Sequence, residues 1–94
     1  MNYDNPYRNE ICTNKLREYR HSLNLRQTDM AAIMGFEVID RICHWERGRA
    51  VPGLINLIRL CVLFNAQPRD LYPELYAQIQ KEIEHNRLTN NFPS

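Results

Sequence analysis

The chain has 94 residues, enough for one small domain built around a single modest core. Hydrophobic residues make up 44% and charged residues 24%, an ordinary globular balance. The formal net charge is only +1, which excludes affinity for a polyanion through bulk charge; such affinity has to come from local placement of basic groups. Residues 1–53 carry eight Lys or Arg against seven acids, and the remainder four against four.

Three cysteines, an odd number without a C-x-x-C pair, argue against a disulfide framework and fit a reducing compartment. The opening MNYDNPYRNEI has no apolar core of the kind a secretory signal needs, and no apolar run approaches membrane length. The chain therefore reads as soluble and cytoplasmic, without a membrane partner.

Residues 1–8 lack periodicity and read as an N-terminal arm. A first helix is predicted from Asn9 to Leu23, with Cys12, Leu16, Tyr19 and Leu23 on one stripe and Asn24 as a left-handed terminator. A second begins at Gln27, with Thr28 and Asp29 in its first turn; Met30, Ala31 and Met34 share its inner face, and Gly35 stops it. Gln27 is expected to point its amide outward, as a helix N-terminus that collects phosphate requires. Phe36 is expected to plug the gap before a third helix, whose Ile42 and Trp45 share a face and leave Asp40, Arg41, Cys43, His44 and Arg47 on the other sides. Gly48 closes that helix.

Pro52 suits a first helical position, and the stretch from Gly53 to Phe64 is apolar enough to be read as core throughout: Leu54, Leu57, Ile58, Leu60, Cys61 and Phe64. Asn65 stops it. Gln67-Pro68 opens a short helix over Arg69–Tyr72, Pro73 interrupts, and a terminal helix runs from Glu74 to about Asn86. Leu75, Ile79 and Ile83 stand four apart on it with Tyr76 alongside, a stripe that either folds back over the domain or makes a dimer interface; the interface is the favoured reading because the short domain already has its core. The tail is rich in Asn and is expected to be flexible from residue 89 to 94.

From Leu16 to about Tyr72 the chain resembles the phage-repressor helix-turn-helix family, the Cro/cI or Xre type. The matching pieces are Leu16-Arg17-Glu18-Tyr19-Arg20, Gln27-Thr28-Asp29-Met30-Ala31, Met34-Gly35, Ile42-Cys43-His44-Trp45-Glu46-Arg47-Gly48, and Pro52-Gly53-Leu54 with Leu57 and Leu60. They stand in order at near-family spacing, which makes the set far more specific than any single piece. The turn between Gly35 and Ile42 is one residue longer than the family's commonest form, and Ile39 and Asp40 stand where polar base readers are usual.

The resemblance implies an all-α fold, a five-helix repressor-like helix-turn-helix domain over residues 9–72, here followed by an extended C-terminal helix over 73–88. It implies double-stranded DNA as partner and a homodimeric transcriptional repressor on a palindromic operator. Base reading would fall to Ile39, Asp40, Arg41, Cys43 and His44, and phosphate contacts to Arg26, Gln27, Thr28, Arg47 and Arg49. Arg20 and Glu46 would form a partly buried salt bridge joining the first helix to the third. An alternative use of the same domain is as an antitoxin or other adaptor that binds a protein partner through the terminal stripe.

Enzymatic chemistry does not assemble. His21, His44 and His85 are scattered, Cys43-His44 cannot alone supply a four-ligand metal site, and no Ser–His–acid order, phosphate loop or carboxylate pair is present. Neither a metal nor a cofactor is expected. Cys12 and Cys61 read as core.

Overall fold

A computed structural model describes residues 11–92; the expected arm over residues 1–8 and the last two residues of the tail lie outside them. The described chain is all-α: α1 is Leu16–Ser22, α2 Gln27–Met34, α3 Asp40–Glu46, α4 Leu54–Phe64, α5 Pro68–Leu71 and α6 Pro73–Thr89. The core has a simple composition. Each of the first five helices contributes one large, fully buried side chain, respectively Leu16, Met30, Ile42, Leu60 and Leu71, whereas α6 buries none of its residues. Ala31, Met34, Trp45, Phe64 and Tyr72 complete the interior.

Local stop signals act where the sequence places them. α2 ends with Gly35 at φ +85°, the Gly35 N–H donating to Ala32 O and the Phe36 N–H to Ala31 O; these crossed bonds form a Schellman turn. Asn65, at φ +50°, closes α4 the same way, with Ala66 N–H on Cys61 O. Asn24 takes φ +58° after α1, filling the left-handed position expected of it.

The first helix is shorter than expected: α1 begins at Leu16, and residues 11–14 are not helical. Their polar groups are engaged elsewhere. The Cys12 N–H donates to Gly48 O at 2.8 Å and the Lys15 N–H to Leu71 O at 2.9 Å. The Asn14 amide donates to the carbonyls of Cys12 and Trp45, while its oxygen accepts from the Leu16 N–H and caps α1. Cys12 is buried as expected, but from this extended segment and not from a helical stripe. Leu23, placed on that stripe by spacing, is exposed, because the helix has already ended at Ser22.

Gly48, at φ +75°, explains how the segment can lie so close to the end of α3. A Cβ there would meet Cys12 O at 2.6 Å and Ile11 Cγ2 at 2.7 Å. Position 48 therefore requires glycine twice, for its backbone angle and for its neighbour.

α4 departs most from expectation. Pro52 precedes the helix, whose N-cap is Gly53 in an extended conformation. Of the residues read as core, Leu60 and Phe64 are buried and Leu57 and Cys61 half-buried, but Leu54 and Ile58 are exposed, as are Ile55 and Val62. Asn56 and Arg59 occupy one side of the helix and leave an apolar arc wider than this small domain covers, so spacing alone does not say which part of the arc is buried.

Pro73 opens α6, which then runs to Thr89, three residues past its expected end. After it, Phe92 N–H donates to Arg87 O at 2.8 Å around Asn91 at φ +63°. α6 packs chiefly on α5. With 17 residues it is about 25 Å long, and it carries the molecule to a longest extent of 49 Å. Inside the core, the Tyr72 hydroxyl is buried without a hydrogen-bond partner among the described residues.

Candidate nucleic-acid interface

The candidate surface is built on α2, the turn Gly35–Ile39 and α3. Phe36 sits in that turn with its ring edge on Trp45, centroids 5.9 Å apart, filling the gap between the two helices. Ile42 and Trp45 anchor α3 inward. Asp40, Arg41, His44 and Arg47 are consequently exposed on its outer side, and Arg41 lies over the Phe36 ring with its guanidinium carbon 4.9 Å from the centroid.

The orientation of α3 is held from behind by Glu46. Its side chain is 0% exposed. Arg20 Nε donates to Glu46 Oε2 at 2.6 Å and Arg20 Nη2 to Glu46 Oε1 at 3.0 Å, the bidentate fork geometry. Arg20 Nη1 donates to Leu25 O at 2.8 Å, bracing the loop between α1 and α2. Gln27 Nε2 donates to Glu46 Oε1 at 3.1 Å, and Arg17 Nε lies 3.6 Å from the same oxygen. Burial pushes the Glu46 carboxyl upward, but hydrogen bonds from Arg20 and Gln27 and the charges of Arg20 and Arg17 outweigh it and hold the group below the usual carboxylate range. The Glu46 hydrogen bond outweighs burial for Arg20 as well, raising its pKa. One carboxylate thus ties the end of α3 to α1 and to the first residue of α2.

Several expected site residues are placed differently. Gln27 does not direct its amide outward; the amide is turned onto Glu46, since a buried carboxylate oxygen is a stronger acceptor site than solvent offers. Ile39 is half-buried and packs against the core, and Cys43 is half-buried, so the freely presented groups of α3 are Asp40, Arg41 and His44. Thr28 is exposed. Arg26 is exposed too, but its Nε and Nη2 donate to the Asp29 carboxylate at 3.1 Å each. Asp29 also accepts the Arg26 N–H at 2.8 Å, and its pKa is lowered chiefly by these bonds from Arg26. Arg26 therefore offers a charge already shared with an acid.

Arg17 was not among the expected contacts. Its side chain is 56% exposed, and it lines one cleft with Arg47, Arg49, Glu18 and Glu46. The signal for it was present in the sequence: Arg17 precedes Arg20 by three positions, so both reach the same side of α1. The cleft collects three guanidinium groups at the C-terminal end of α3 beside two carboxylates, of which Glu46 is already engaged by Arg20.

On α6, Leu75 is half-buried against the core and Ile79 half-buried, while Tyr76 and Ile83 are exposed. Two of the four stripe residues are thus exposed and two partly covered. Among the described residues no three His, Cys, Asp or Glu side chains come together to hold a metal ion, and no helix is long and apolar enough to cross a membrane. In comparisons with known proteins the chain matches no family model, no curated protein and no solved structure.

Proposed function

We propose that the chain is a cytoplasmic, sequence-specific DNA-binding regulator, a repressor that works as a homodimer on a two-fold operator. The observation that carries this reading is the way α3 is held. Its apolar side is sunk into the core, its end is clamped by Arg20 and Gln27 through Glu46, and its other side is left to solvent with Asp40, Arg41 and His44. Such a hold on α3 supports a helix-turn-helix reading of the domain, in which α3 enters the major groove. At 7 residues, α3 is about 10 Å long, compatible with a groove about 12 Å wide.

In this reading Arg41 and His44 donate to guanine N7 or O6, and Asp40 accepts from cytosine N4. Arg17, Arg47 and Arg49 contact phosphates beside the groove. Because Arg26 is shared with Asp29 and the net charge is +1, one domain supplies few phosphate contacts, and the affinity of each contact is salt-dependent. Two domains on one site compensate for this.

The deciding experiment is selection of bound duplexes from a random DNA library by the full-length chain. The expected outcome is enrichment of a two-fold motif whose half-sites lie about one helical turn apart. Recovery of no motif, together with salt-insensitive or absent binding, refutes the reading. The partly exposed stripe on α6 favours a second reading, an adaptor or antitoxin that seats a protein partner there; co-purification of a stoichiometric partner with a chain inert towards DNA would select it.

A further inference from the structure

Leu54, Ile58 and Val62 stand at i, i+4 and i+8 of α4, opposite the buried Leu60 and Phe64, and are 70%, 51% and 76% exposed. Ile55, 62% exposed, flanks this ridge, and Ile33 of α2, 56% exposed, rises across from it. Between the two helices runs a groove of about 540 Å³, floored by Met34 and Leu63. Arg59 is the charged residue in its lining, and its guanidinium donates to Asn56 at 2.8 Å.

We propose that this face is where a second copy of the chain docks, α4 against α4 about a two-fold axis. The first argument is area. The five aliphatic side chains together expose on the order of 500 Å², towards the top of the ~300–600 Å² range for the largest patch of a monomer. Pairing two such faces reaches the ~1,000 Å² total that a specific interface needs.

The second argument is shape. A ridge of residues four apart packs into the groove beside the same ridge of another helix, the commonest helix–helix geometry, crossing at about −50°. α4 carries both ridge and groove, so the face is complementary to itself, as a two-fold contact demands. The third is charge. An acidic or basic partner would call for several opposing charges in the lining, whereas this face is aliphatic apart from Arg59 at its side, already hydrogen-bonded to Asn56, and matches an equally aliphatic copy.

The α6 stripe is the weaker candidate for holding two chains together. Leu75 and Ile79 are already half-buried, which leaves Tyr76 and Ile83, two turns apart, as the exposed residues of that stripe. Self-association through α4 does not depend on DNA binding, and its test contains no DNA.

Light scattering and circular dichroism of the full-length chain at micromolar concentration, with two double variants, test the proposal. The wild type is expected to have the mass of two chains. Leu54→Lys with Val62→Lys, at the two most exposed ridge positions, is expected to have the mass of one chain with unchanged helix content. Ile79→Asp with Ile83→Asp is expected to remain at two. A monomeric wild type, or a Leu54→Lys/Val62→Lys variant that stays dimeric or loses its helix content, overturns the proposal. An independent check uses the wild type alone: on dilution, the methyl resonances of Ile55 and Ile58 should shift while those of Ile79 and Ile83 hold still. Dilution shifts confined to the α6 methyls, or none at all, overturn it equally.

Discussion

Arg20 and Glu46, 26 residues apart in the chain, meet through two hydrogen bonds of 2.6 and 3.0 Å, and the carboxylate they share is closed off from solvent. A buried pair of this kind adds little over an apolar replacement of the same shape, but losing either partner strands a charge. Arg20→Ala leaves Glu46 to Gln27 and the more distant Arg17, and Glu46→Ala leaves the guanidinium with only Leu25 O. Each single substitution is expected to cost ~3–5 kcal/mol in urea denaturation, and the double variant less than the sum. Single variants within experimental error of the wild type would show that the pair holds nothing in place.

The same pair sets an acid limit to stability. The folded Glu46 carboxyl lies below the ordinary carboxylate range, so on acidification the unfolded chain takes up this proton first. The stabilisation is complete at neutral pH, declines as pH falls through about 4.3, the ordinary glutamate value, and is gone below the folded value. Glu46→Gln should therefore be less stable than the wild type at pH 7 and should lose less on going to acid. Parallel stability profiles for the two proteins between neutral and acid pH would contradict this.

Gly48→Ala is expected to be among the most damaging of the conservative changes. The new methyl would need a left-handed backbone angle, costing ~1–2 kcal/mol for a residue with a Cβ, and would collide with backbone atoms of Cys12 that cannot swing aside. A total loss above about 2 kcal/mol is expected in thermal or chemical unfolding. Gly35→Ala, also at positive φ but with open space around it, should show only the conformational part. Equal costs at the two positions would mean that the approach of Cys12 to Gly48 is not tight.

Tyr72→Phe should be neutral or stabilising. Its hydroxyl is buried with no partner among the described residues, and burial drives its pKa far above the usual phenol value, so removing the oxygen relieves a desolvation cost of ~1–3 kcal/mol. A marked fall in the urea midpoint would show that the hydroxyl is satisfied after all.

Under the proposed function, base reading and phosphate contact separate cleanly. His44→Ala should relax preference at one base pair, costing ~1–3 kcal/mol on the preferred site, while Arg49→Ala should weaken all duplexes alike and lower the salt slope by about one. Binding titrations across a salt series on selected and scrambled duplexes read both effects. If His44→Ala leaves the preferred sequence unchanged, His44 does not read a base.

Whatever depends on a few consecutive residues was legible in the sequence. Gly35, Asn24, Asn65 and Gly48 end helices because backbone sterics operate within one turn, and Ile42 with Trp45 declares the inner face of α3 by spacing alone. The Arg20–Glu46 pair became visible through the resemblance, which supplied a long-range partner that spacing could not. The tertiary structure decided the rest. α1 starts at Leu16 because the preceding N–H groups are taken by Gly48 and Leu71, residues distant in the chain. Gln27 turns inward because Glu46 is there to receive it, and Ile39 is half-buried because the turn brings it against the core. α4 is the clearest case: its apolar arc takes in all but the side of Asn56 and Arg59, and nothing within the helix ranks Leu60 above Val62. Only the meeting of five helices around one small core determined which of the two would be buried and which left facing out, because burial belongs to surfaces that meet and not to residues taken one at a time.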